Sequence, residues 1–229
     1  SIYAFMLVQK RQKVTPGAPD KEHALPLTKV GVVGGGLMAR QFALEIVRRL
    51  EVPVVISDIS RERVDAATEW MRDELSTLHH KGRLHTDQLQ KLSALIEGAT
   101  DMAAFSDCDL VIEAVFEELS VKKQVFTELE KHVREDAILA SNTSSLAIAD
   151  IASALKHPER MVGIHFFNPV AVMPLVEVVA AELSSEPAVA TAVSAVRKLR
   201  KTPIVTADST GFVVNRLLAK LLGEAMHAI

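Results

Sequence analysis

The stretch "KVGVVGGGLMA", from Lys29 to Ala39, constrains the fold of this chain more than any other. A short run of valines meets three consecutive glycines, and a helical pattern then runs over 37–50. An unbroken valine run is buried on both faces, which a parallel sheet with helices on either side provides. The same texture recurs at 54–57, 110–114, 137–140, 161–165, 176–179 and 203–206. Helical patterns lie between these runs, at 60–81, 86–97, 120–133, 148–155 and 187–201. The alternation predicts a doubly wound α/β fold on a mostly parallel sheet, with 60–81 and 86–97 as a helical-hairpin insertion.

The glycine spacing has a chemical reading. Gly34, Gly36 and Ala39 form a G-x-G-x-x-A turn at a strand–helix junction. Gly34 permits the tight turn, Gly36 lets backbone approach a pyrophosphate, and Ala39 lets the helix pack on the sheet. Glycines at such a junction also serve merely to turn the chain. Asp58 adds a second signal, since it ends the next strand run, "VVISD". A carboxylate there accepts hydrogen bonds from an adenosine ribose and repels a 2′-phosphate, which favours NAD over NADP. Arg61 stands close enough to soften that preference, and the alternative role for Asp58 is a helix N-cap.

Composition narrows the partners. The 229 residues are 48% hydrophobic and 24% charged, which predicts an ordinary packed core. A net charge of −3 without a Lys/Arg cluster argues against nucleic acid or an anionic membrane as partner. No apolar run approaches the ~20 residues that span a bilayer. The single Cys108 excludes an internal disulfide framework, fits a reducing cytoplasm, and reads as a packing residue rather than a nucleophile. His79, His80 and His85 lack a Cys or carboxylate to complete a metal set, so no metal is expected.

Three segments follow from the texture. Residues 1–27 read as a helix over 2–14 and a proline-rich linker over 15–26, 28–209 as the α/β domain, and 210–229 as the start of a further helical domain. The chain opens on Ser and closes inside a helical pattern, so it reads as a piece of a longer polypeptide.

One histidine stands out. His165 lies in an apolar strand within "MVGIHFFNPVAVMPLVEVV", and Glu177 is the next titratable residue. The two are symmetric about Ala171, and prolines at 169 and 174 favour a chain reversal between them. If the segment folds back, carboxylate and imidazole meet. The carboxylate then fixes the tautomer and leaves the other ring nitrogen free to take a proton, as NAD-linked alcohol oxidation requires. The plain alternative is a satisfied core histidine. Asn168 is placed to donate to a developing carbonyl oxygen, and the hydroxyl-rich "SNTSSL" (141–146) follows a strand at the edge where open α/β sheets hold ligands.

Four motifs now stand together: "VGVVGGGLMA", "VIEAVFEELSVKKQVF", "LASNTSSL" and "GIHFFNPVAVMPLVEVV". They closely resemble the NAD-binding, Rossmann-type domain of the L-3-hydroxyacyl-CoA dehydrogenase family, over about 28–220. The segment before it resembles the connector in multifunctional β-oxidation α-subunits. The resemblance implies His165 as general base paired with Glu177, Ser144 as partner of the substrate hydroxyl, and Asn168 and Asn215 as active-site asparagines. It also implies cofactor contacts from Gly34, Gly36, Leu37, Met38, Asp58, Val115, Phe116, Glu117 and Lys122, and a CoA contact near Lys81. Further implications are an acyl-CoA substrate, a thiolase partner, a homo-oligomeric parent and a fragment that binds NAD yet turns over poorly. Other readings remain open: an oxidoreductase of a related hydroxy acid, or a non-catalytic nucleotide-binding scaffold. Arg40 and Gln41 depart from the resemblance, because small residues are usual there.

Overall fold

The computed structural model describes residues 15–227, so the expected helix over 2–14 lies outside the described residues. Eight strands form one sheet: β1 (Val30–Val33), β2 (Val54–Ser57), β3 (Ile96–Ala99), β4 (Leu110–Glu113), β5 (Ile138–Ser141), β6 (Met161–Phe166), β7 (Leu175–Ala180) and β8 (Thr202–Ala207). Their spatial order is β3-β2-β1-β4-β5-β6-β7-β8. All neighbours pair in parallel except β6 and β7. The order reverses direction at β1, and such a switch point opens a crevice at the carboxyl ends of the strands.

The helices are α1 (Leu37–Leu50), α2 (Arg61–His80), α3 (Thr86–Ala94), α4 (Leu119–Leu129), α5 (Ile148–Ala152), α6 (Glu186–Lys198) and α7 (Val214–His227). Strand residues alternate between two apolar layers because successive side chains point to opposite faces. Val30, Val32, Ile112 and Ile164 pack with Phe42 and Val47 of α1 and Val193 of α6. Val33, Val111 and Leu139 pack on the other side with Phe126, Leu129 and Ile151. Each such aliphatic side chain, fully buried, contributes about 1.5–3 kcal/mol, so a one-residue slip of register is heavily penalised.

Two expectations are adjusted by the structure. The helical pattern over 86–97 ends at Ala94, and Ile96–Ala99 instead joins the sheet beside β2. This edge strand buries only Ile96, and its Glu97 and Gly98 lack the apolar signature of the inner strands. Tertiary pairing, not propensity, makes it a strand. The proline-rich segment 15–26 lies against α6, where Leu25 N donates to Thr191 Oγ1 at 2.9 Å and Arg197 donates to Thr15 Oγ1 at 2.7 Å.

Candidate active site

The turn after β1 is built as its glycines require. Gly34 has φ +111°, and a Cβ there would lie 2.6 Å from the Ala114 carbonyl oxygen, so only glycine fits. Gly36 caps α1 without any side-chain hydrogen bond, and a Cβ on it would meet nothing within 4 Å. The first N–H groups of α1 therefore face an open cradle, the arrangement that receives a phosphate anion. Asp58 Oδ2 accepts from Gly35 N at 2.9 Å, which ties the acid to the turn. Asp58 is not the N-cap of α2; Ser60 fills that position by accepting from Arg63 N. Arg61 pairs with Asp65 at 2.9 Å, whereas Arg63 lies 4.0 Å from Asp58.

Gly34, Gly35, Gly36 and Asp58 line a chamber of 540 Å³ that also includes Leu37, Met38, Ile59, Arg63, Val115 and Phe116. Phe116 is 70% and Ile59 95% exposed, so two apolar side chains stand open at its mouth, with the Arg63 guanidinium 6.0 Å from the Phe116 ring centroid. Open glycine cradle, tethered carboxylate and apolar flanks together fit a dinucleotide.

A second chamber, of 380 Å³, is lined by Met38, Ala114, Val115, Glu117, Lys122, Asn142, Ser144, His165, Phe167, Asn168 and Asn215, among others. Met38, Ala114 and Val115 line both chambers, so the two share a wall. The β6–β7 hairpin places His165 directly opposite Glu177. His165 Nδ1 lies 2.7 Å from Glu177 Oε2, and Glu177 is fully buried. The other carboxylate oxygen accepts from Val213 N and Val214 N, both at 3.0 Å, where α7 begins. Burial pushes the Glu177 carboxyl upward, but the His165 ring and the two backbone N–H groups outweigh it and hold it below the usual range. Phe167 and Phe212 pack against the imidazole, with centroids 4.5 Å and 5.8 Å away.

Glu117 organises the hydroxyl-rich loop. Its Oε1 accepts from Thr143 Oγ1 (2.7 Å), Ser144 N (2.7 Å), Ser144 Oγ (3.0 Å) and Ser145 N (3.1 Å). Burial opposes ionisation of Glu117, yet the Thr143 hydroxyl, the Ser144 donors and the charge of Lys122 bring its pKa down to about 2. Asn215 Nδ2 donates to Ser144 O at 2.9 Å, joining α7 to the same loop.

Sequence reasoning gave no role to four residues. Glu113 is a fully buried carboxylate; it takes Lys122 Nζ at 2.7 Å, Ser141 Oγ at 2.7 Å and Val115 N at 2.6 Å. A charge inside the apolar run "LVIEAV" was the available signal. Asn142 accepts from Phe166 N at 3.0 Å, Gln41 contacts Asn168, and Arg63 replaces Arg61 at the cofactor chamber. Lys81 stands exposed at the end of α2 and lines neither chamber.

A switch-point crevice with this glycine turn defines a Rossmann-type domain of the NAD-dependent oxidoreductase class. Residues 29–209 match the model of the 3-hydroxyacyl-CoA dehydrogenase NAD binding domain, and the chain belongs to that family. It is 34% identical to (S)-3-hydroxybutyryl-CoA dehydrogenase of Ralstonia eutropha, with a TM-score of 0.83 over 87% of this chain and 70% of that one. It is 37% identical to FadB2 of M. tuberculosis, with a TM-score of 0.82 over 89% and 72% of the two chains. Against the dehydrogenase part of multifunctional enzyme 1 from C. elegans the identity is 30%, the TM-score 0.73, and the coverage 89% and 46%.

Proposed function

We propose that this domain oxidises an L-3-hydroxyacyl-CoA to the 3-oxoacyl-CoA, as a step of fatty-acid β-oxidation. The observation that carries the reading is the 2.7 Å His165–Glu177 contact in a chamber that shares a wall with the glycine-turn chamber. NAD, when bound, supplies the hydride acceptor. The first N–H groups of α1 beside Gly36, with Gly34 permitting the turn, would hold its pyrophosphate, and Asp58 its adenosine ribose. Leu37, Met38, Val115 and Phe116 would line it, and Glu117 and Lys122 would border its nicotinamide end.

Glu177 commits the Nδ1 proton of His165, so Nε2 is the nitrogen left to take the proton of the substrate's 3-hydroxyl. Ser144, Asn168 and Asn215 surround that oxygen in the reading. His165 gains the proton while the C3–H pair departs as hydride, and the products are the 3-oxo compound and reduced cofactor. Lys81 would reach the CoA moiety only from outside the chamber.

Further parts of the reading rest on resemblance: the parent acts as a multifunctional homo-oligomer, works beside a thiolase, and needs more than residues 1–229 for good turnover, while the chain alone binds NAD. The cytoplasmic setting rests on the single Cys108. The rival reading, a scaffold that has lost its chemistry, leaves the His165–Glu177 pair unexplained. The test is acetoacetyl-CoA reduction by NADH in the complete protein, wild type against His165→Ala and Glu177→Gln. Loss of turnover with NADH binding kept supports the reading; unchanged rates overturn it.

A further inference from the structure

Gln41, in the first turns of α1, reaches the loop after β6 and is not among the residues lining the glycine-turn chamber. Its Oε1 accepts from Val170 N at 2.8 Å, and its Nε2 donates to Asn168 Oδ1 at 3.2 Å. The direction of this chain of bonds is fixed by chemistry. A backbone N–H can only donate, so the Gln41 amide must turn its oxygen to Val170 and its nitrogen to Asn168. Asn168 must then offer its oxygen to Gln41, and its Nδ2 is left pointing elsewhere. Among the described residues that Nδ2 has no protein acceptor, and Asn168 lines the chamber that holds His165.

We propose that Gln41 is a positioning residue that sets the amide polarity of Asn168, making Asn168 a hydrogen-bond donor to the substrate's C3 oxygen. The inference deepens the dehydrogenase reading and rests on it. A donor aimed at that oxygen stabilises the negative charge that grows there; an amide turned over would present its carbonyl oxygen to the same charge and repel it. The loop is held independently on its far side, where Lys201 Nζ donates to Val170 O and, at 2.8 Å, to Met173 O. Loss of Gln41 therefore need not collapse the loop.

Two substitutions separate polarity from clamping. Gln41→Glu keeps an acceptor for Val170 N but can no longer donate to Asn168, so Asn168 turns its Nδ2 toward the carboxylate. Gln41→Met is of similar length, loses both bonds and leaves Asn168 free to sample either orientation. If Gln41 only clamps the loop, Met is the more damaging change; if it sets polarity, Glu is.

The experiment measures kcat for acetoacetyl-CoA reduction in the complete protein, with each Gln41 variant made alone and on Asn168→Ala. NADH affinity and thermal midpoint are measured alongside. The expected result is that Gln41→Glu lowers kcat by about 100-fold, the scale of one misdirected oxyanion donor. Gln41→Met should lower it less, and Gln41→Glu should add less than about twofold on Asn168→Ala, because coupled residues are non-additive. NADH affinity stays unchanged in all. A greater loss with Met, no loss with Glu, or an equal loss with Glu in both backgrounds overturns the inference while leaving the dehydrogenase reading in place. An unchanged kcat in Asn168→Ala alone removes Asn168 from that reading and the inference with it.

Discussion

Glu177 holds His165 with one carboxylate oxygen and the start of α7 with the other, at 2.7 Å and 3.0 Å. His165 and the last helix of the described chain are therefore held by one buried side chain. Glu177→Gln keeps the shape but offers an amide that cannot anchor the required tautomer, and kcat should fall by about 10³ or more. Glu177→Ala strands two backbone N–H groups as well and should cost about 3 kcal/mol in chemical denaturation. Wild-type kcat with Gln, or a denaturation midpoint unmoved by Ala, would contradict this account.

The two fingerprint glycines should fail in different ways. Gly34→Ala meets both a left-handed φ and the Ala114 carbonyl, so it should destabilise the fold by about 3 kcal/mol. Gly36→Ala meets no protein atom, so the thermal midpoint should hold while NADH affinity drops by about tenfold or more. Calorimetry and NADH fluorescence titration give the two readouts.

In the proposed reading Asp58 selects which dinucleotide binds. Asp58→Ala removes the ribose acceptor and leaves Arg63 beside a vacated charge. NADH should bind about tenfold more weakly, and the preference over NADPH should narrow, because an Arg near that site accommodates a 2′-phosphate. Parallel titrations with the two reduced cofactors check it; undiminished discrimination would mean that Asp58 does not contact the ribose.

Glu117 predicts an acid-side dependence of stability. Its folded pKa, about 2, lies below the ordinary 4.5, so the folded state favours the ionised form. Its stabilisation is complete above pH 4.5 and is lost as pH falls toward 2. Glu117→Gln should flatten the thermal midpoint across that window relative to wild type and leave it parallel at neutral pH. Steeper acid loss in the variant would reverse the sign and refute the assignment.

Cys108 is fully buried beside the β4 strand, and burial pushes its thiol up to about 12. A disulfide reagent at pH 8 should leave the native protein unlabelled and modify one thiol per chain once denaturant is added. Rapid labelling of the folded protein would show that the segment leading into β4 opens.

Much of this molecule was legible in its residues. The inner strands β1, β2, β4, β5 and β6 announce themselves because both faces are buried and most positions are apolar, with the polar exceptions Ser57, Glu113, Ser141 and His165 lying toward their carboxyl ends. The glycine turn reads directly because Gly34 and Gly36 answer backbone constraints that few other residues meet. Even the His165–Glu177 pairing followed from two prolines and symmetry about Ala171, since a hairpin turns sequence spacing into cross-strand register.

Other parts belong to the tertiary structure alone. β3 is a strand because β2 offers an unpaired edge, which its own "IEGA" does not disclose. Arg63, not Arg61, lines the cofactor chamber because of where α2 starts its first turn. Glu113 meets Lys122, Glu117 meets the 143–145 loop, and Gln41 meets Asn168 across separations that no local pattern encodes. Periodicity and backbone sterics are local, so the sequence determined the layers and the turn by itself. Hydrogen bonds between distant side chains depend on how those layers close, and only the folded chain decided them.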